Sequence, residues 1–327
     1  MNVPCVRVER SAGEETRQAL AEADCLSEEF EITHEDGWLY IPVTDPAGVP
    51  DGFDVVEFDA DQRRTPKTPA DILGYEPSLE RLGDIVIIDE DDMDRARETA
   101  EAVMASDLPV KTVVDRASEV KGELRIRDWT VLAGDGTETV HREYGTEFAL
   151  DIAEVYFSPR LATERHRVTE QVEAGEHFFD MFAGVGPFAI PAAKRGAAVV
   201  ATDLNERAVE YCRENAARNG VADRVTAIQG DVRELAADYE GWADRVVMNL
   251  PHSANEFVDT AVALAGDDCV LHLYDIQHED DAFGPGERTI RDAAEPEYEV
   301  SVETRQTVRS YAPHENNVCL DVRLTRR

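Results

Sequence analysis

Phe178-Phe179-Asp180-Met181-Phe182-Ala183-Gly184-Val185-Gly186-Pro187-Phe188 reads as a strand, a glycine turn and the start of a helix. Glycines at 184 and 186 let the backbone pass close to a ligand, and the helix after them offers unpaired N–H groups. Such a turn taken alone is a weak sign of a nucleotide-like ligand, so its surroundings decide. Short β-branched runs alternate with amphipathic helices on both sides of it: strands are expected at His177–Asp180, Ala198–Asp203, Arg224–Gly230, Asp244–Asn249 and Cys269–Tyr274. That alternation predicts a parallel sheet covered by helices on both faces. Two more runs, Val302–Tyr311 and Asn317–Leu324, have no helix between them and predict a closing antiparallel pair. The fold class is therefore α/β, with the Rossmann-like sheet of class I methyltransferases.

The acids narrow the ligand. A carboxylate at Asp180, just before the glycines, would repel a pyrophosphate but can pair with the ammonium of a methionine moiety, which disfavours NAD. Asp203 ends the second expected strand, where an acid can accept both hydroxyls of a ribose. Asp231 comes after the third and is placed for an adenine amino group. Each aspartate alone could be a helix N-cap; three at successive strand ends point to S-adenosylmethionine. Phe182, Gly184, Gly186, Leu204 and Val232 belong to the same turns. Asn249-Leu250-Pro251-His252 ends the fourth strand beside the expected methyl group, where the Asn249 amide and carbonyls freed by Pro251 can hold a planar base edge. An Asn-Leu-Pro turn by itself is usually only a strand exit.

The remainder of the 327 residues exceeds one ordinary core and reads as two smaller α+β units. Residues 1–61 hold a strand at Cys5–Val8, a helix at Glu14–Ala23 and a hairpin across Phe30–Val43 turning at Asp36-Gly37. The polar, proline-punctuated stretch 62–70 reads as a linker. Residues 71–152 are expected to form strands at Asp84–Ile88, Lys111–Val114, Glu123–Leu132 and Glu147–Asp151 with a helix at Met93–Ala105; 153–327 is the methyltransferase domain.

With 69 acidic against 33 basic residues, the formal net charge is -36, which at first argues against a polyanionic partner. Lysine occurs only at 67, 111, 121 and 194, so nearly all positive charge is arginine. Evenly spread acid with scarce lysine suits a halophilic archaeon, whose cytoplasm shrinks the Debye length to about 3 Å at 1 M salt. No apolar run is long enough to span a membrane and the first residues lack a signal-peptide layout, so a cytoplasmic protein is expected. Cys5, Cys25, Cys212, Cys269 and Cys319 are scattered, with no C-x-x-C pair to suggest a metal.

Val155-Tyr156-Phe157-Ser158-Pro159-Arg160-Leu161-Ala162-Thr163-Glu164-Arg165, the glycine turn, Asn249 to Ala254 and Val308-Arg309-Ser310-Tyr311-Ala312-Pro313 together resemble the archaeal tRNA (guanine(37)-N1)-methyltransferases. The resemblance extends to the N-terminal unit. It implies methyl transfer to N1 of the guanine 3′ of the anticodon. Guanine N1 carries a proton, so the chemistry needs a base and a cation for charge growing on O6. By the resemblance Glu164 is the base and Arg125 the O6 partner, with Arg127 as its rival; Tyr156 and Asn249 position the guanine, and Arg160 and Arg165 meet phosphates. Glu164 and Arg165 could instead simply open a helix. The resemblance also implies that the first unit inspects the outer corner of the tRNA, and a monomer is expected. Two alternatives remain: an aminocarboxypropyl transferase of wybutosine synthesis, and a non-catalytic RNA-binding protein that kept the fold.

Overall fold

The computed structural model describes residues 1–64, 66–118, 122 and 124–327. Its contacts divide it into two compact units, Met1–Lys67 and Thr68–Arg327.

In the first unit, strands β1 (Asn2–Glu9), β2 (Thr33–Glu35), β3 (Trp38–Pro42) and β4 (Asp54–Asp59) form an antiparallel sheet in the order β2-β3-β1-β4, with helix α1 (Gly13–Glu22). The hairpin turns at Asp36 and Gly37, both with positive φ as a tight two-residue turn requires. Val6, Leu20, Cys25, Ile41 and Val43 form its core. The stretch expected as a linker is partly structured: Gln62 bridges back to Phe30, and Thr68 with Asp71 caps helix α2 (Pro69–Leu73) in a reciprocal capping box. Thr65, within that stretch, lies outside the described residues.

The second unit opens with strands β5 (Leu79–Leu82) and β6 (Ile85–Ile88), helix α3 (Met93–Ala105), and strands β7 (Thr112–Arg116) and β8 (Trp129–Gly134), which form one sheet in that order. The strand expected at Glu123–Leu132 begins at Trp129 instead; Leu124 and Arg125 are in a turn, Arg125 has φ +55°, and Glu123 lies outside the described residues. Alternation divides this sheet's faces. Val86, Ile88 and Val113 pack with Ala100 and Val103 of α3, whereas Ile85, Ile87 and Val114 join the core of the long C-terminal region. Residues 71–152 thus share a hydrophobic core with residues 153–327. A hairpin, β9 (Glu138–Glu143) and β10 (Thr146–Asp151), leads into the long final domain.

That domain continues with α4 (Ala162–Glu170), β11 (His177–Asp180), α5 (Ala189–Lys194), β12 (Ala198–Asp203), α6 (Glu206–Arg218), β13 (Val225–Gln229), α7 (Val232–Leu235), β14 (Ala243–Met248), α8 (Val258–Leu264), β15 (Ala265–His278), α9 (Gly284–Ala294), β16 (Tyr298–Ala312) and β17 (Glu315–Arg326). Its seven strands run β13-β12-β11-β14-β15-β17-β16; the first five are parallel, and β17 lies antiparallel between β15 and β16. This is the expected sheet with its closing antiparallel pair. Phe178, Val199 and Val247 point to one core and Phe179, Val200 and Val246 to the other, as a sheet buried on both faces requires. Helix α6 shows why the covering helices form. Asn205 caps it, and its buried Ala208, Val209, Tyr211, Cys212, Asn215 and Ala216 recur at helical spacing.

Candidate active site

The carboxyl ends of β11, β12, β13 and β14 open onto a cavity of about 740 Å³, the place where open α/β sheets bind ligands. Its wall includes Phe182, Gly184, Asp203, Leu204, Asp231, Val232, Asn249 and Pro251, all expected from the sequence, together with Tyr156, Arg125 and Arg127.

Asp203 organises the glycine turn. Its Oδ2 accepts from Gly184 N at 2.7 Å and its Oδ1 from Asn205 N at 2.9 Å. A carboxylate has room for further donors on each oxygen, so the ribose role is compatible with these bonds. Burial raises its pKa. Gly186 stands behind the wall, at φ +91°, where a Cβ would meet Ile190 Cγ1 at 2.9 Å and Cys212 Sγ at 3.0 Å. No larger residue fits there.

Asp180 is fully buried next to Met181 and Phe182 and does not itself line the cavity; no side chain among the described residues bonds its carboxylate, and the backbone N–H groups of Phe182 and Ala189 are the donors nearest to it. Burial pushes its pKa up to about 7. A buried carboxylate with no cation or side-chain donor is costly unless a ligand supplies one. The ammonium of a bound methionine moiety is such a donor, and the donor set around the cavity fits S-adenosylmethionine.

Asp231 is on the wall, but it does cap a helix: it accepts from Arg233 N, and the Arg233 guanidinium also bonds it and holds its carboxyl below the usual range. Arg233 lies over Phe257, 4.9 Å from the ring centroid. Both belong to the wall, and no local sequence signal marks either of them.

The opposite side of the cavity is built from Asn249, Leu250, Pro251, His252, Ile276, Arg309, Tyr311 and Asn317. Ile276 N donates to Pro251 O at 3.0 Å, tying the Asn-Leu-Pro turn to β15. His252 Nε2 lies 3.2 Å from the Tyr311 hydroxyl. Partial burial, and then the nearby Arg125 charge, lower the His252 pKa. Arg125 sits over the Tyr156 ring, 4.8 Å from its centroid, while Arg127 faces Trp129. A second, adjoining groove is lined by Arg116, Arg125, Arg127, Arg160, Arg309 and Tyr156 among others.

Besides Asp180 and Gly186, which stand behind the lining, three expected residues are placed elsewhere. Arg165 is 3% exposed and makes a bidentate pair with Glu143, at 3.0 and 2.5 Å, besides donating to Ser158 O. It is a structural ion pair and offers nothing to a phosphate. Arg160 lines the adjoining groove, with Glu80 as its partner at 2.7 Å. Glu164 is 7% exposed and does not line the cavity; its oxygens accept from Arg167 at 2.7 and 2.8 Å and from the Tyr274 hydroxyl at 2.9 Å.

Behind Glu164 runs a buried chain of charges. Arg167 also donates to Asp321, His272 Nδ1 lies 2.7 Å from Asp321, and Arg245 reaches His272 Nε2 at 2.9 Å and Glu176 beyond. A guanidinium only donates, so Nε2 must accept and the proton sits on Nδ1. Burial lowers the His272 pKa, which agrees with this neutral form. His272, Cys319 and Asp321 lie close enough to suggest a cation site, but these bonds already occupy them and two guanidiniums stand against them.

A doubly covered sheet with this strand order and this cavity defines a class I methyltransferase that uses S-adenosylmethionine. Family models agree and go further. The TRM5/TYW2 methyltransferase domain matches residues 139–303, the tRNA methyltransferase 5 N-terminal domain matches 5–51, and the TYW2 N-terminal domain matches 67–137. The tRNA (guanine(37)-N(1))-methyltransferase Trm5b of Pyrococcus abyssi is 39% identical, over 98% of each chain. The tRNA(Phe) (4-demethylwyosine(37)-C(7)) aminocarboxypropyltransferase of Pyrococcus horikoshii is 32% identical over 75% of this chain and 88% of its own. Among solved structures, that of aTrm5 with tRNALeu superposes with a TM-score of 0.72 at 32% identity, covering 98% of this chain and 99% of the other. The chain belongs to the TRM5/TYW2 methyltransferase family.

Proposed function

We propose that this chain transfers the methyl group of S-adenosylmethionine to N1 of guanine 37 in tRNA. The observation that carries the reading is coverage: similarity to the Pyrococcus abyssi methyltransferase runs through both units, whereas the aminocarboxypropyl transferase matches only about three quarters of the chain. S-adenosylmethionine supplies an electrophilic methyl on a sulfonium. The chain's residues do the rest. Gly184 and Asp203 hold the nucleoside, Asp180 receives the ammonium, Asn249 and Tyr156 orient the guanine, and Arg125 takes the charge growing on O6.

Glu164 is the proposed base. It leaves Arg167 and Tyr274 as the guanine enters, since catalytic hydrogen bonds often form only with substrate in place. His252, neutral and already on the wall, is the competing acceptor. Residues 1–61 are proposed to touch the outer corner of the tRNA and residues 71–152 the anticodon arm, in a monomer working in the cytoplasm of a halophile.

Single-turnover transfer on an unmodified tRNA transcript tests this. Wild type is expected to label guanine 37 and to ignore a transcript with adenine there. Glu164→Gln should lose about 10²- to 10⁴-fold, with His252→Ala much less affected; the reverse order would move the base to His252.

A further inference from the structure

Arg167 stands between two buried carboxylates. Its Nε and Nη2 reach the oxygens of Glu164, while Nη1 and Nη2 reach those of Asp321 at 2.6 and 3.1 Å. One cation between two anions leaves one negative charge uncompensated, and no other cation among the described residues bonds either acid. Burial keeps the Tyr274 hydroxyl that donates to Glu164 protonated and neutral. The imidazole of His272 donates to Asp321 in its neutral form, and Arg245 beyond it is matched by Glu176. A buried set of ions that is one proton short of neutrality is costly to hold. Strand register shows which acid can take that proton from the cavity. Along β15 and β17 the facing pairs run Ile276 with Asn317, Tyr274 with Cys319, and His272 with Asp321. The first pair lines the cavity, and the others follow on the same face, each about 7 Å further along. Glu164, bonded to Tyr274, therefore stands on the cavity side of the cluster, and Leu161, three residues before it, is part of the cavity wall. Asp321 stands behind.

The reaction releases one proton. N1 of guanine uses its electron pair to bond the methyl carbon, the carbon–sulfur pair stays on sulfur, and the N1 proton passes to a base. We propose that Asp321 is a positioning residue for this step: by holding Arg167 in place it lets Glu164 leave the guanidinium, take the N1 proton and keep it in the cluster until the product departs. Against the cost of burial, His272 and Arg167 hold the Asp321 carboxyl well below the usual carboxylate range, so the proton settles on Glu164 and Asp321 remains charged. Without that charge Arg167 would have Glu164 as its sole buried counter-ion, and drawing Glu164 away would strand a partly buried guanidinium. With it, protonation of Glu164 leaves one cation matched by one anion, and the cluster is neutral.

This inference rests on the reading of Glu164 as the base of a guanine-37 methyltransferase, and the experiment separates the two. Single-turnover methylation of a tRNA transcript at saturating S-adenosylmethionine is measured for wild type, Asp321→Asn, Glu164→Gln and the double variant. Asparagine keeps the shape and an acceptor for His272 but not the charge. Asp321→Asn should slow the chemical step by about ten- to a hundredfold, the worth of one hydrogen-bonded charge. Half-saturation by tRNA and affinity for S-adenosylhomocysteine should hardly move. Added to Glu164→Gln, the same change should cost little more, because a residue that acts only through another has nothing left to act on. A wild-type rate in Asp321→Asn, an effect confined to tRNA half-saturation, or losses that multiply in the double variant would each overturn the inference. Wild type supplies a second measurement if the asparagine variant fails to fold. In weakly buffered stopped flow at pH 8 a pH indicator should report the proton after methyl transfer, in step with product release; a proton appearing together with the methyl group would overturn the inference. A Glu164→Gln enzyme with wild-type rate would instead overturn the assignment of the base.

Discussion

Asp180 makes cofactor affinity depend on pH in a calculable way. Its carboxyl is fully buried with no side-chain partner among the described residues, and burial pushes its pKa up to about 7 against the pull of the Phe182 and Ala189 backbone N–H groups. Only the ionised form attracts an ammonium, so apparent affinity scales with the ionised fraction, about 0.9 at pH 8, about 0.5 at pH 7 and about 0.1 at pH 6. Calorimetric titration with S-adenosylhomocysteine, whose amino group stays charged over this range, should therefore show roughly tenfold weaker binding at pH 6 than at pH 8. Methylthioadenosine has no ammonium and should bind with little pH dependence. The same shift acts on stability with the opposite sense: the folded state keeps this proton longer than the unfolded chain, so its contribution is present below the unfolded pKa and is lost as pH rises through about 7. Asp180→Asn should accordingly raise the melting temperature of the ligand-free protein at pH 8 more than at pH 5 while weakening S-adenosylhomocysteine. Equal pH dependence for both ligands, or none for either, would refute the pairing of Asp180 with the ammonium and leave it a buried structural acid.

Three further outcomes are expected of the same structure. Arg167→Met leaves Glu164 and Asp321, 7% and 1% exposed, with the neutral donors Tyr274 and His272 in place of a shared cation, and should cost about 3–5 kcal/mol in urea unfolding at neutral pH; because Asp321 is held well below the usual carboxylate range, that contribution is lost as pH falls through the acid range. Raising KCl from dilute buffer towards molar should raise the melting temperature by screening an excess of 36 negative charges; a melt independent of salt would remove the halophilic reading. Deleting residues 1–67 should leave a folded protein that still binds S-adenosylhomocysteine, since the cavity lies wholly within Thr68–Arg327; loss of that binding would contradict the division into units.

The parallel sheet is legible in the sequence because its signals are local: β-branched runs of strand length, a glycine turn, and aspartates at strand ends. The features that escape such a reading depend on partners distant in the chain. Arg165 looks like a surface cation until Glu143 is brought against it from β9, and Glu164 likewise looks free until Tyr274 closes on it from a strand 110 residues away. The β9–β10 hairpin turns at Tyr144 and Gly145, with φ +44° and +74°; the glycine suits such a turn, but tyrosine stands where asparagine or aspartate usually precedes it, and only the second strand is expected from the sequence. Asn317 and Arg309 owe their place to strand register, which the burial pattern and turn of the whole strand pair set together and neither residue's own neighbours reveal.

The group added to the RNA, and the nucleotide that receives it, distinguish this function from its rivals. Unmodified tRNA transcript incubated with the protein and S-adenosylmethionine, then digested and analysed by nucleoside mass spectrometry with sequence mapping, should yield 1-methylguanosine confined to position 37. An aminocarboxypropyl adduct, a methyl group on another nucleotide, or unmodified RNA after stoichiometric enzyme would contradict it.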